Sequence, residues 1–185
     1  VDRRRCVATD ACRRAENGAA FLDRVVAETG LTLETIAAEE EAGLALKGCL
    51  PLIGPDARHA LVFDIGGGST EVMLTDTGGG ASDMTGWVSL PFGVVNLSER
   101  YGGDALSVSA YDAMVAEVDD HLAPFCQRHG VLAMVGRGEA QLLGTSGTVT
   151  TLTGVHLDLR RYDRAVVDGA FLNFDDIRDM SDRLR

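Results

Sequence analysis

The chain has 185 residues, 45% of them hydrophobic, and a formal net charge of −11. That is enough to bury a sizeable core as one large domain or as parts of two. The negative balance argues against general nucleic-acid binding and against an anionic membrane surface. The four cysteines, Cys6, Cys12, Cys49 and Cys126, form no C-x-x-C pair and no Cys/His cluster with zinc-site spacing, so four reduced thiols in a cytoplasmic protein are expected. No signal peptide opens the chain, and no apolar run approaches membrane-spanning length. The start, Val1-Asp2-Arg3, lacks an initiator Met and reads as part of a longer chain.

In chain order, Arg5 to Thr9 reads as a short strand and the polar stretch Asp10 to Glu16 as a loop. Asn17 is placed to cap a helix through Glu28, with Phe21, Leu22, Val25 and Val26 on one face and Gly30 as its stop. Leu31 to Ile36 alternates like a strand. Glu39-Glu40-Glu41 opens a helix to about Leu50, where first-turn carboxylates suit the helix dipole. Pro51 to Arg58, with its Gly, two Pro and Asp, reads as a linker.

An apolar run, Ala60 to Phe63, then ends in Asp64. Gly66-Gly67-Gly68-Ser69-Thr70 follows, and Glu71 opens a second apolar run, Val72 to Leu74. The reading is strand, tight loop, strand. Glycines tolerate positive φ and carry no Cβ, so the N–H groups of such a loop can converge on an anion. Ser69 and Thr70 add hydroxyls, and Asp64 and Glu71 flank the loop. Phosphate donors between two carboxylates suggest a phosphate site with a divalent cation such as Mg²⁺, which prefers oxygen ligands and keeps several waters. No Lys follows the glycines and a strand rather than a helix comes next, so neither the Walker nor the dinucleotide fingerprint fits.

Further on, Thr77 to Ser82 reads as a turn and Trp87 to Leu90 as a third strand, antiparallel to the second. Phe92 to Tyr101 has helical spacing and is broken by Gly102-Gly103. Ser109 is placed to cap a long helix, Ala110 to Arg128, with Met114, Val118, His121, Leu122 and Phe125 facing inward. Gln141 to Gly144 is the next strand. It runs into a second glycine-hydroxyl loop, Gly144 to Thr148, before a helix that starts near Val149 and adds its N-terminal N–H groups. Arg160, Arg161 and Arg164 form a small basic cluster that reads as a solvated face. Asn173 is placed to cap a last helix, Phe174 to Leu184.

Five stretches together resemble the exopolyphosphatase/guanosine pentaphosphate phosphohydrolase (Ppx/GppA) family of the actin-like superfamily. They are VATDACRRAEN (7–17), IAAEEEAGLAL (36–46), LVFDIGGGSTEVML (61–74), SLPFGVVNLSERYG (89–102) and LLGTSGTVTTL (142–152). The resemblance implies an α/β fold of actin-like, ribonuclease H-like type, a mixed sheet flanked by helices, in a duplicated two-domain architecture present here only in part. Residues 1–50 would be the end of the first domain, 51–58 a linker and 59–185 most of the second.

It further implies hydrolysis of terminal phosphoanhydride bonds in polyphosphate or guanosine pentaphosphate with Mg²⁺. Glu41 and Glu71 would be catalytic, with Glu41 as general base. Asp64 and Glu71 would hold the metal. Arg13, Gly66, Gly67, Gly68, Ser69, Thr70, Gly144, Ser146, Gly147 and Thr148 would bind phosphate. The family pattern often has Arg where this chain has Gly43. A homodimer would be unsurprising, and neither nucleic acid nor membrane is expected as a partner. A (p)ppGpp- or polyphosphate-binding module without turnover, and a sugar-kinase-like or Hsp70-like ATPase, remain competing readings.

Overall fold

The computed structural model describes residues 4–78, 83–103 and 106–184. It begins with a parallel pair, β1 (Cys6–Ala8) and β2 (Leu33–Thr35), bridged by α1 (Asp10–Arg14) and α2 (Gly18–Thr29). Parallel strands require such a crossover, because the chain must return to the end it started from. The stretch expected as a loop is therefore largely helix. DACRR has no apolar stripe to betray it, but Asp10 at its start and Arg13 and Arg14 at its end suit the helix dipole. Asn17 occupies the N-cap position of α2 without making a side-chain capping bond, and Gly30 ends the helix in the left-handed region at φ 70°. The expected apolar face of α2 is only partly covered, since Phe21 and Val26 are exposed.

A helix, α3 (Ala38–Cys49), and a 3-10 turn at Leu50–Leu52 lead to the larger sheet. Its strands are β3 (His59–Ile65), β4 (Thr70–Asp76), β5 (Met84–Leu90) and β6 (Ala140–Thr145), in the order β5-β4-β3-β6. Pairing is antiparallel through β3, β4 and β5, while β6 joins β3 in parallel. The expected mixed sheet flanked by helices is thus present. The third strand starts at Met84, ahead of the expected Trp87. The turn expected at residues 77–82 lies partly outside the described residues.

Alternation along the strands supplies two apolar faces. One, with Val62, Met73 and Leu143, packs under Ala42, Leu46 and Cys49 of α3. The other, with Leu61, Val72 and Leu74, packs against Phe125 of α5 (Val108–His129) and Val131 of α6 (Val131–Gly136). Ser107, not Ser109, caps α5, accepting the Ala110 N–H at 3.1 Å. His121, expected inward, is exposed and meets the Phe92 ring edge-on with centroids 4.7 Å apart.

Beyond β6 come α7 (Ser146–His156), α8 (Arg164–Val167) and α9 (Phe174–Leu184). Asn173 caps α9 reciprocally: its Oδ1 accepts the Asp176 N–H and its own N–H donates to Asp176 Oδ2, each at 2.9 Å. Cys6, Cys12, Cys49 and Cys126 are free thiols. No helix among the described residues is long and apolar enough to cross a membrane.

Candidate active site

Strand register assembles the centre of the site. Glu71 pairs with Ser89, Asp64 with Glu71, and Asp64 again with Thr145, giving one row across β5, β4, β3 and β6. Directly opposed residues point to the same face of a sheet. By alternation this is the face of Val62 and Met73, beneath α3. The row lies where the parallel strands β3 and β6 end, the edge at which open α/β sheets form binding crevices.

Glu71 is buried, at 3% exposure. Its Oε1 accepts the Ser89 hydroxyl at 2.9 Å. Burial pushes its carboxyl above the usual range, hydrogen bonds from Ser69 and Ser89 pull it back, and the charges of Glu41 and Asp64 push it up again. The first turn of α3 therefore brings Glu41 into electrostatic reach of the sheet acids. At the other end of the helix, Cys49 meets the side chain of Thr145, and burial raises its thiol.

Arg13 joins α1 to this group. Its Nη1 donates to Glu41 Oε2 at 2.8 Å and to the Ile36 carbonyl at 2.9 Å, at the entry to α3. Its Nη2 lies 3.7 Å from Asp10 Oδ1, and Arg14 Nη1 lies 3.6 Å from Asp10 Oδ2. The arginine expected to face substrate phosphate thus grips the expected base.

The glycine loop is closed by the Gly66 N–H donating to the Ser69 carbonyl at 3.0 Å. None of its three glycines has positive φ. The close approach is at Gly68, where a Cβ would stand 2.8 Å from Asp10 Oδ2; at Gly67 a Cβ would make only ordinary contact, 3.4 Å from Val95 Cγ2.

Below the loop sits α4 (Val94–Tyr101). Its leading N–H groups have no partner within the helix. Those of Val94 and Val95 donate to the Gly66 and Gly67 carbonyls at 3.0 Å, and Asn96 Nδ2 donates to the Gly68 carbonyl at 2.8 Å. In a trans peptide the C=O and the following N–H point in opposite directions. With three carbonyls held by α4, the N–H groups of Gly67, Gly68 and Ser69 are turned away from it.

The expected hydroxyl donors divide. Thr70 Oγ1 donates to the Phe92 carbonyl at 2.7 Å and Thr148 Oγ1 to the Ile65 carbonyl at 3.0 Å, so both fasten the loop's surroundings. Residues 144–148 are not a loop. Gly144 is strand, and a Cβ there would strike Phe63 at 2.6 Å and Val149 at 2.7 Å. Ser146, at φ 76°, turns the chain directly into α7, with Gly147 in its first turn.

Asp10, Ser89, Gly93, Asn96 and Thr145 were not singled out from sequence. Three of them fall in SLPFGVVN, where the signal was a run of small and polar residues interrupting apolar ones. A Cβ on Gly93 would lie 2.3 Å from the Gly67 carbonyl carbon.

A profile of the Ppx/GppA phosphatase family matches residues 1–174. The chain belongs to that family. Ppx/GppA relatives include the guanosine-5′-triphosphate,3′-diphosphate pyrophosphatase of Photobacterium profundum, 32% identical over 158 residues, covering 85% of this chain and 30% of that protein. The protein of the same description from Aliivibrio fischeri is 33% identical over the same share. An exopolyphosphatase-like protein of known structure superposes with a TM-score of 0.84 at 36% identity, covering 100% of this chain and 58% of its own. The Aquifex aeolicus Ppx/GppA member gives 0.76 at 29% identity, covering 99% and 55%. The chain thus spans about three-tenths of the curated relatives and just over half of the solved structures.

Proposed function

We propose that this Ppx/GppA chain supplies the acidic side and one phosphate loop of a phosphoanhydride hydrolase, which removes the terminal phosphate of polyphosphate or of guanosine pentaphosphate. The observation that carries this reading is the glycine loop with three N–H groups turned away from α4, next to the Asp64–Glu71 pair. Phosphoryl transfer asks for oxygens held by donors, compensated charge and an aligned water. The N–H groups of Gly67, Gly68 and Ser69 bind phosphate oxygens. Glu41, oriented by Arg13, takes a proton from the attacking water. The water oxygen bonds to the terminal phosphorus as the bridging P–O bond breaks, and the shortened chain leaves with the bridging oxygen. Residues 1–50 and 59–185 belong, in this reading, to two domains that share the cleft.

The acids suit a divalent cation. Neither Asp64 nor Glu71 is ion-paired to Arg or Lys among the described residues, although Glu71 is buried, and uncompensated buried charge is costly. No group of three or more His, Cys, Asp or Glu converges as a metal cage among the described residues. Asp64 and Glu71 would hold Mg²⁺ as a two-carboxylate site completed by water and phosphate oxygens, the usual mode for that ion. When bound, the ion would neutralise charge on the phosphates. A cytoplasmic location and a homodimer accompany this reading.

Orthophosphate release by the full-length protein tests it, with long-chain polyphosphate and guanosine pentaphosphate as substrates. Release with Mg²⁺ that EDTA abolishes is the expected result. A folded protein that releases phosphate from neither substrate would sink it.

A further inference from the structure

Arg14 stands at a corner of the glycine loop that Arg13 does not serve. Arg13 Nη1 is engaged by Glu41 Oε2 and by the Ile36 carbonyl, and its Nη2 faces Asp10. Arg14 follows it on α1 with 63% of its side chain exposed, and its Nη1 comes no closer to Asp10 Oδ2 than 3.6 Å. A charge-assisted hydrogen bond to a carboxylate measures about 2.7–2.9 Å. This is therefore a loose ion pair, of the kind an exposed arginine gives up readily. The guanidinium lies against the loop. The place that a Cβ would take on Gly68 is 2.8 Å from Asp10 Oδ2 and 4.0 Å from Arg14 Nη1. The Gly68 carbonyl is held by Asn96, so this residue touches α4 through its carbonyl and α1 through its Cα.

The local charges call for a cation at this corner. Asp10, Glu41, Asp64 and Glu71 border the loop and the sheet row, and a phosphate chain brought among them is repelled unless positive charge answers it. Arg13 is committed to Glu41. A divalent ion at Asp64 and Glu71 would offset the sheet pair alone. Arg14 is placed to serve the α1 side. Its planar guanidinium presents paired N–H donors that match two phosphate oxygens. Glycine at position 68 leaves no side chain between that guanidinium and a loop residue whose N–H is turned away from α4.

We propose that Arg14 is a phosphate-contacting residue of this site, exchanging its loose pair with Asp10 for oxygens of the phosphate seated on the glycine loop. The contact ties the first segment of the chain to the loop of the second through the bound phosphate. The proposal rests on the reading of the glycine loop as a phosphate holder.

Equilibrium binding reads this contact without turnover. Imidodiphosphate, a pyrophosphate analogue whose P–N–P bridge resists hydrolysis, would be titrated calorimetrically with Mg²⁺ into the full-length protein and its variants. Arg14→Ala should weaken binding at least about tenfold, the scale of one hydrogen bond to a charged group, with the urea midpoint unchanged because the side chain is exposed. Arg24→Ala, which removes a 75% exposed arginine from α2, should bind as the wild type does. An Asp10→Asn background separates contact from charge compensation. A direct contact keeps its tenfold effect there, whereas an Arg14 that only neutralises Asp10 loses it. Unaltered affinity in Arg14→Ala, an equal loss in Arg24→Ala, or disappearance of the effect in the Asp10→Asn background would overturn the proposal. A folded wild-type protein that binds no imidodiphosphate would end both this proposal and the phosphate-loop reading. Affinity that depends on Arg14, in a protein that releases no phosphate, would uphold the contact and count against the hydrolase reading alone.

Discussion

Arg13 and Glu41 are joined by an ion pair of 2.8 Å between α1 and α3, the two helices on the near side of the sheet acids. The contact is partly buried, and the same guanidinium nitrogen also binds the Ile36 carbonyl. Glu41 is therefore oriented by a residue from another segment. Arg13→Ala and Glu41→Gln in the full-length protein should each lower phosphate release at least about tenfold, about 1.4 kcal/mol in the barrier. Because both act through one contact, the double variant should lose little more than the worse single. Fully additive losses in steady-state rates would show independent roles.

Gly93 has no room for a side chain against the glycine loop, since a Cβ would meet the Gly67 carbonyl and the Gly68 nitrogen, all backbone atoms. Backbone cannot swing aside as a side-chain tip can. Gly93→Ala should cost about 1–3 kcal/mol, the scale of overpacking, and should weaken phosphate binding by moving the loop. An unchanged urea midpoint would contradict this.

Glu117 ties the far end of α4 to α5, accepting the Tyr101 hydroxyl at 2.7 Å and forming a close ion pair with Arg100. The hydrogen bonds from Tyr101 and Arg100 hold its carboxyl below the ordinary value of 4.5. A lowered folded-state value means that the tie is fully present above the unfolded value and is lost as pH falls through the folded one. Glu117→Gln should therefore lower Tm at neutral pH, with the two proteins converging once pH drops below the carboxylate range. A Tm difference independent of pH would exclude this tie as the cause.

Gly43 lies inside α3, and a Cβ there would meet nothing within 4 Å. Glycine in a helix interior costs about 0.5–1 kcal/mol relative to alanine. Gly43→Ala should raise stability by roughly that amount, and denaturant unfolding would read it directly. Destabilisation would mean that the helix needs glycine for a contact outside the described residues.

The central hairpin was legible because its apolar runs, glycines and flanking acids are all local signals. Its two acids proved to be register partners. Other features depended on tertiary partners that a sequence does not display. DACRR folds as α1 without an apolar face. Ser107 and Ser109 stand two residues apart, and local pattern alone favours neither as the cap of α5. Ser146 starts α7 from positive φ, a conformation that propensity disfavours for serine. The loop glycines were expected for their backbone freedom, but none takes positive φ; a Cβ on Gly68 would crowd Asp10, and the strict steric demand falls on Gly93, which packs on the Gly67 backbone. Thr70 and Thr148 were of the right type to bind phosphate, and only the fold reveals that their hydroxyls bind carbonyls of the protein.

Because the row from Ser89 to Thr145 is fixed by strand pairing, a slip of β4 by one residue would carry Glu71 to the opposite face. The register irregularity between β4 and β5 falls at Leu74 and Thr75, and the pairs from Thr70 to Leu74 run without interruption. Amide hydrogens along this stretch should exchange only when the sheet itself opens. The sheet carboxylates thus behave as a fixed ruler, and adjustment to an arriving phosphate chain is left to the side chains that α1 and α3 hold over it.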